Sequence, residues 1–225
     1  MSLTPAEWQI ISFTLAACTL STLVILPFGL AVAWPLARYR WPGKLLLETL
    51  VTLPLVLPPV ATGLLLLKFF SRRSELGQFL HNRLGFDVVF TWRAVVVAAA
   101  VMSFPLLVRS VRVGFQSVNQ RFEHIARTLG ASDARVFFTV TLPLASRGII
   151  AGVLLAFARA VGEFGATIVV AGNIPGRTTT LSLEIFETVQ LGHDASAYRL
   201  VVVSIMIAFG AVWLSEALMK KSVLR

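Results

Sequence analysis

Residues 123–143 read EHIARTLGASDARVFFTVTLP, a polar segment that lies between two long apolar stretches of the chain. Its first part predicts a short amphipathic helix, which Gly130 is placed to end in a left-handed cap. Ser132 then suits the N-cap of a second helix, with Asp133 favourable in the first turn. Pro143 stands where the chain turns into the next apolar stretch. The segment therefore predicts a helix–turn–helix that projects from an otherwise apolar protein.

The composition indicates the class of protein. Of the 225 residues, 56% are hydrophobic and only 14% are charged, whereas an ordinary globular domain has about a quarter charged residues. Long uncharged runs predict an all-α, polytopic membrane protein, and no segment alternates as the strands of a β-barrel do. The length suits one transmembrane domain over residues 1–225, with its core at about 8–219, and leaves no room for a soluble catalytic domain.

Charged residues bracket five apolar stretches, each close to the roughly 20 residues that a bilayer requires. We predict spans within 8–37, 48–68, 93–112, 147–171 and 199–219. Residues 178–191 are too short to span and carry two glutamates, so we interpret them as an interfacial or re-entrant helix; a sixth short span is the alternative. A small helix is also predicted over 74–84.

The positive charges predict the orientation. Of the 20 Lys and Arg residues, twelve fall on the side that holds residues 118–143 and seven on the other, while Arg159 lies within a span. The positive-inside rule assigns the richer side to the cytoplasm. We therefore expect the N-terminus outside and the C-terminus, with Lys220, Lys221 and Arg225, inside. Because the cations lie at the ends of apolar segments, we expect no nucleic-acid partner.

Few side chains in the sequence could carry out chemistry. The three histidines lie in predicted loops or short helices, and the sequence holds no HExxH, CxxC, GxSxG or P-loop motif. We predict a protein that is not an enzyme, with no catalytic residue, no cofactor and no metal site. Any nucleotide hydrolysis that drives it belongs to another subunit.

Arg159 and Glu163 form the one ionisable pair within the predicted spans, and their i, i+4 spacing places them on one helical face. One interpretation is a self-satisfied ion pair that fixes helix packing. The other is a pathway or gate element in which Arg159 offers an anion a fork of donors. The sequence leaves both open.

Prolines interrupt the second predicted span at Pro54, Pro58 and Pro59, and Ser103 stands just before Pro105 in the third. Proline removes a helical hydrogen bond, which a membrane tolerates only where protein or water satisfies the freed backbone. Broken helices of this kind often line substrate routes. Three prolines in six residues favour a pathway wall over kinks that only help packing.

The spacing around Gly130 has a known counterpart. Nine residues separate Gly130 from the sequence VTLP at 140–143, and His124-Ile125-Ala126 end three residues before it, with Glu123 one place earlier. This pattern resembles the loop of binding-protein-dependent ABC importer permeases, in which EAA, three residues, Gly and nine residues precede I-x-L-P. The resemblance implies an ATPase-docking loop over 118–143. Its docking residues would be Glu123, Ala126, Leu129, Gly130, Ala131, Leu142 and Pro143.

Other segments extend the resemblance over nearly the whole chain. TLPLVLPPVATG, AAAVMSFPLLVRSVR and NIPGRTTTL are similar to segments of molybdate permease subunits, and sulfate permeases share some of these elements. The resemblance implies a type I ABC importer permease in a bacterial inner membrane, with ATP-driven import of molybdate; sulfate or tungstate is the alternative. It implies as partners a second copy of this chain, two cytosolic ABC ATPase subunits, an extracytoplasmic oxyanion-binding protein and membrane lipid.

In such a homodimer the oxyanion would cross a cavity lined by hydroxyls and backbone donors, for which Ser103, Thr167 and the kinked backbone near Pro58 are candidates. A different class remains open. An ATP-independent secondary transporter or channel would use Arg159 and Glu163 as an ion relay, and it predicts transport by this chain alone.

Overall fold

The computed structural model describes residues 3–223, with side chains up to Met219. The side chains of Lys220 and Lys221, and all of Arg225, lie outside that part. Every regular element in the described part is helical. In chain order the elements are α1 (Pro5–Arg38), α2 (Lys44–Val56), α3 (Pro59–Phe70), α4 (Glu75–Leu84), α5 (Trp92–Gln116), α6 (Gln120–Thr128), α7 (Asp133–Val136), a π-helical turn (Phe137–Thr141), α8 (Leu142–Val161), α9 (Gly165–Val170), α10 (Leu181–Gln190) and α11 (Asp194–Val223).

Four helical stretches in the described part are long and apolar enough to cross a membrane by themselves: α1, α5, the run Asp133–Val161, and α11. A fifth candidate span is the pair α2 and α3, whose axes are bent by 109° at a short break. Five spans were predicted, and the fold agrees with that number when the bent pair is one span. The ten-residue α10 does not join them.

Local sequence explains where α1 begins. The Thr4 hydroxyl accepts a hydrogen bond from the Glu7 amide, the Glu7 carboxylate accepts one from the Thr4 amide at 2.7 Å, and Pro5 occupies the first helical position. The same carboxylate accepts a hydrogen bond from Arg199 in α11 at 2.8 Å. The start of the first span is therefore tied to the start of the last.

Two glycines bring α5 and α8 into close contact near the end of the bundle that carries residues 118–143. A Cβ atom added to Gly148 of α8 would lie 2.5 Å from the Cα of Gly114 in α5. The two backbones therefore touch, as small residues permit in membrane helices. Buried side chains on α5, including Val111 and Phe115, complete the packing around this crossing.

We predict that Gly148→Ala destabilises the protein, because its new methyl group must displace the α5 backbone. The expected loss is about 1–3 kcal/mol, the usual cost of overpacking, and it is measured as a lower melting temperature in detergent. Gly210→Ala is the matched control, since a Cβ at Gly210 meets nothing within 4 Å. Equal melting temperatures for the two variants would contradict the close crossing.

The second span is broken where its prolines predicted. Helix α2 ends at Val56, Leu57 and Pro58 are extended, and α3 begins at Pro59. Neither proline has an amide hydrogen to donate, and proline at the first helical position suits a new helix. Pro54 lies inside α2, one turn before the break.

The fourth span differs from the prediction of 147–171. Helix α8 begins at Leu142 and ends at Val161, and residues 162–164 separate it from the short α9. The Glu163 carboxylate accepts a hydrogen bond from the Ala166 amide at 2.8 Å and so satisfies a free donor at the start of α9. Arg159 therefore lies in the last turn of α8, and Glu163 lies in the break rather than within a continuous helix.

The two helix breaks pack against each other. A Cβ on Gly63 would lie 2.7 Å from the carbonyl oxygen of Ala166, and one on Gly165 would lie 2.7 Å from the Cβ of Pro59. Helices α3 and α9 thus meet with backbone contact at the point where each resumes after its break.

Two short helices lie at the end of the bundle opposite residues 118–143, and both were predicted. Helix α4 is capped by Ser74 and α10 by Thr180, whose side chains accept hydrogen bonds from the first turns. The Leu181 amide donates to the Thr14 hydroxyl at 2.9 Å, which fixes α10 along α1. Arg72, just before α4, donates a hydrogen bond at 2.8 Å to the carboxylate of Asp87, just after it, and holds the pKa of that carboxyl below its usual value.

Candidate docking loop and translocation pathway

Residues 118–143 form the predicted helix–turn–helix. The Asn119 side chain caps α6, and Gly130 ends that helix in the left-handed conformation with φ +86°. The Ala131 amide donates to the carbonyl of Ala126 at 3.1 Å, which closes the turn. The Ser132 hydroxyl then accepts a hydrogen bond from the Arg135 amide at the start of α7. A bulkier residue at Gly130 would be strained, because side chains disfavour this φ.

One face of the loop is apolar and exposed. Leu129 is 82% exposed, and Phe122 and Ile125 are more than half exposed on the same face of α6. A groove of about 370 Å³ lies between this face and the start of α8. Its lining residues are Phe122, Ile125, Ala126, Leu129, Thr139, Val140, Pro143 and Leu144.

The predicted docking residues divide between this groove and the interior. Ala126, Leu129 and Pro143 line the groove, and Gly130 and Ala131 form the turn at the tip of the loop. Leu142 packs against the main hydrophobic core instead. Glu123 is 4% exposed and points into the protein. The docking roles stay predictions, and the geometry gives the surface role to the groove residues rather than to Glu123.

A buried ion pair explains the orientation of Glu123. Its carboxylate lies 2.6 Å from the guanidinium of Arg38, the last residue of α1, and both side chains are at most 8% exposed. The same oxygen accepts a hydrogen bond from the Thr141 hydroxyl at 2.8 Å, and Arg38 also donates to the carbonyl of Val118 at 3.2 Å. Glu123 thus joins the two ends of the loop to the first span.

Aromatic rings surround this ion pair. The guanidinium of Arg38 lies 5.4 Å from the ring centre of Trp34, and that ring meets Phe115 and Phe137 edge-on at 5.2 and 5.0 Å. The sequence did not predict the roles of Arg38, Trp34 or Thr141, because Glu123 lies 85 residues from Arg38 and no local pattern links the two.

We predict that Glu123→Gln lowers stability substantially, because it leaves the Arg38 charge buried without its partner. The expected loss is about 3–5 kcal/mol, the usual cost of breaking a buried ion pair. Thermal unfolding in detergent measures it. Asp133→Asn is the matched control in the same loop, since Asp133 pairs with Arg127 at 2.8 Å but is 85% exposed. A small loss for both variants would show that the pair does not hold the loop.

The predicted pathway residues do not all come together. Pro58 and Pro59 lie at the first break and Glu163 at the second, with Thr167 1% exposed in α9 beside it. Ser103 is fully buried in α5 and donates its hydroxyl to the Ala99 carbonyl of its own helix at 2.7 Å.

Arg159 and Glu163 are paired at 2.8 Å, as their spacing predicted. The Glu163 carboxylate is nearly excluded from solvent, whereas the Arg159 side chain is about a quarter exposed. Since the second oxygen of Glu163 caps α9, both carboxylate oxygens are satisfied. The pair thus joins the end of α8 to the start of α9. Near this junction, within the described part of the chain, the buried Thr62 hydroxyl has no hydrogen-bond partner.

Discontinuous helices within a membrane bundle are common in transport proteins. The family described as the inner membrane component of binding-protein-dependent transport systems matches residues 25–221 of this chain. The chain belongs to that family of multi-pass inner-membrane proteins, and the resemblance found in the sequence is confirmed.

Individual members of the family and solved structures show which transport proteins this chain is similar to. The chain is 48% identical to the molybdenum transport system permease protein ModB of Escherichia coli K12 over 223 residues, or 99% of this chain and 97% of the relative. It is 42% identical to the sulfate transport system permease protein CysT of Salmonella typhimurium over 79% of this chain and 64% of that one. An inward-facing structure of the MetNI methionine ABC transporter shares the fold, with TM-score 0.67 and 19% identity over 97% of this chain and 99% of that chain.

Proposed function

We propose that this protein is the permease subunit of an ABC importer and forms the membrane pathway for molybdate. The observation that carries the proposal is the 48% identity to a molybdenum transport permease over nearly the full length of both chains. Identity at that level over all spans supports a common pathway, not only a common fold. Sulfate is the second candidate, because a sulfate permease is 42% identical over a shorter region.

The exposed surface of residues 118–143 supports the proposal that a separate ATPase subunit supplies the energy. Its groove is lined mainly by apolar side chains that are exposed in this chain alone. An exposed apolar patch of this kind marks a site of contact with another protein. The buried salt bridge between Glu123 and Arg38 would hold the loop rigidly to α1, so that α1 moves with the loop. We infer that a cytosolic ABC ATPase docks in this groove, one on each of two permease copies, and that its closure on ATP moves the spans.

The bent span supports a second copy of this chain as the other partner. None of the thirteen residues of α2 is buried within one protomer, and Leu46, Leu50 and Val56 are more than half exposed. Contact with a twofold-related copy would cover this face and enclose the two helix breaks beside a central path. The side holding the loop would be cytoplasmic and the N-terminus outside, with an extracytoplasmic oxyanion-binding protein at the end formed by α4 and α10.

We predict that Leu129→Glu weakens assembly with the ATPase, because it places a charge in the apolar contact. Loss of one well-packed anchor of a protein interface costs 2 kcal/mol or more, so we expect about thirtyfold weaker association. The measurement is recovery of the ABC ATPase subunit with the tagged permease, together with molybdate uptake.

Leu191→Glu is the matched control for this experiment. Leu191 is a similarly exposed leucine (62%) that follows α10 at the opposite end of the bundle. We expect this variant to retain the ATPase. If Leu129→Glu retained the ATPase, or if both variants lost it equally, the groove would not be the docking surface.

Uptake by the assembled system tests the substrate and the energy source together. In a strain that lacks its own molybdate importer, we expect this chain with its partner subunits to accumulate labelled molybdate. Excess tungstate should compete strongly and sulfate weakly, and an ATPase subunit unable to hydrolyse ATP should support no uptake. Uptake by the permease alone would instead favour the ATP-independent transporter, and strong competition by sulfate would favour a sulfate permease.

A further inference from the structure

A cleft of about 450 Å³ lies between α2 and α5, on the side of the first helix break that faces the docking loop. It reaches from Val56, the last residue of α2, to Leu45 near its start. Most of its wall is apolar. Its polar lining residues are Glu48, Thr49, Thr52, Arg109 and Arg112.

Positively charged side chains outnumber negatively charged ones around this cleft. Arg112 bonds the Glu48 carboxylate at 2.9 Å, and Lys44 approaches the same oxygen at 4.0 Å. The structure gives Arg109 one weak contact, to the Thr52 hydroxyl at 3.5 Å, the outer limit of a hydrogen bond. The cleft is therefore lined by two guanidinium groups, of Arg109 and Arg112, and by one carboxylate, of Glu48, which leaves an excess of positive charge beside an apolar wall.

The geometry of the two arginines suits an anion. Arg109 and Arg112 are three residues apart in α5 and so lie on the same helical face. A guanidinium presents several donors in a plane, which matches the oxygens of a tetrahedral oxyanion. The Thr49 and Thr52 hydroxyls already donate to carbonyls of their own helix at 2.8 and 2.7 Å, so the guanidinium of Arg109 is the less committed donor of the cleft.

We propose that this cleft is a transient binding site for the transported tetrahedral oxyanion on the loop side of the helix breaks, with Arg109 as its principal donor. The inference rests on the proposed function. Glu48 already neutralises part of the positive charge, which keeps binding weak enough for release, as conduction through a pore requires. The cleft would then offer the anion the guanidinium of Arg109 on the loop side of the helix breaks.

Reaction of a cysteine placed in the cleft tests the proposal. Cys18 is the only cysteine of the chain and is buried, so Cys18→Ala with Thr49→Cys leaves one reactive thiol beside Arg109. The full transporter, in nanodiscs of phosphatidylcholine, is treated with an anionic and then a cationic methanethiosulfonate reagent. The mass of this chain reports the reaction, so cysteines of other subunits do not interfere.

We expect the anionic reagent to react faster at the new cysteine, and millimolar molybdate to slow that reaction about threefold or more. Arg109→Gln should remove the protection and lower the ratio of anionic to cationic rates about tenfold, as loss of a charge-assisted hydrogen bond implies. Arg109→Lys keeps the charge but not the fork, so it should give intermediate protection and serves if the glutamine variant does not assemble.

Two controls isolate the cleft. Arg40→Gln removes the same charge from an exposed site outside the cleft and should leave protection unchanged. Thr128→Cys, exposed on the docking loop, should react at a rate that molybdate does not alter. A second preparation in phosphatidylglycerol separates a lipid phosphate from the transported anion. Protection by that lipid without further protection by molybdate would overturn the proposal.

The outcomes distinguish this inference from the proposed function. If the wild-type complex imports molybdate but molybdate protects the Thr49→Cys thiol neither with Arg109 intact nor with Arg109→Lys, the cleft site is wrong and the permease assignment stands. If the complex imports sulfate and not molybdate, the proposed substrate is wrong. Protection by sulfate that Arg109→Gln removes would then uphold the cleft as the oxyanion site.

Discussion

The buried pair of Arg38 and Glu123 constrains the rest of the structure. Each charge would be costly to bury alone, so the end of the first span and the start of the loop must come together as the protein folds. Thr141 adds the other end of the loop to the same carboxylate oxygen. Because Glu123 faces inward, Phe122 beside it and Ile125 in the next turn of α6 face outward. One ion pair therefore both anchors the loop and orients its apolar groove.

The π-helical turn is part of the same arrangement. It holds Phe137, which packs on Trp34, and Thr141, which reaches Glu123, so both side chains that secure the loop come from five residues. Such turns insert an extra residue into a helix and occur often at functional sites. The helix that leaves the loop is continuous with the α8 span. Movement of the loop would therefore be carried into α8 as well as α1.

Local signals in the sequence predicted much of this fold. Gly130, Ser132 and the prolines of the second span act through backbone geometry that neighbouring residues determine, and each lies where it was expected. The break after Val161 was missed: the local cap of α9 by Glu163 was not recognised, and the packing of Gly165 on Pro59 is a long-range contact. The inward direction of Glu123 was also missed. Its partner Arg38 is 85 residues away, which no local pattern encodes.

Hydroxyl groups in the spans are a poor guide to the pathway. Ser21, Thr22 and Ser103 each donate to a carbonyl one turn earlier in their own helix, so their polarity is already satisfied without a substrate. An anion needs donors that the fold has not used. In the described part of the chain the Arg159 guanidinium is committed to Glu163, whereas Arg109 has only a long contact to a hydroxyl. The donors that remain free to bind an anion are therefore found by asking which charged side chains have no close partner. A count of polar residues in the spans does not identify them.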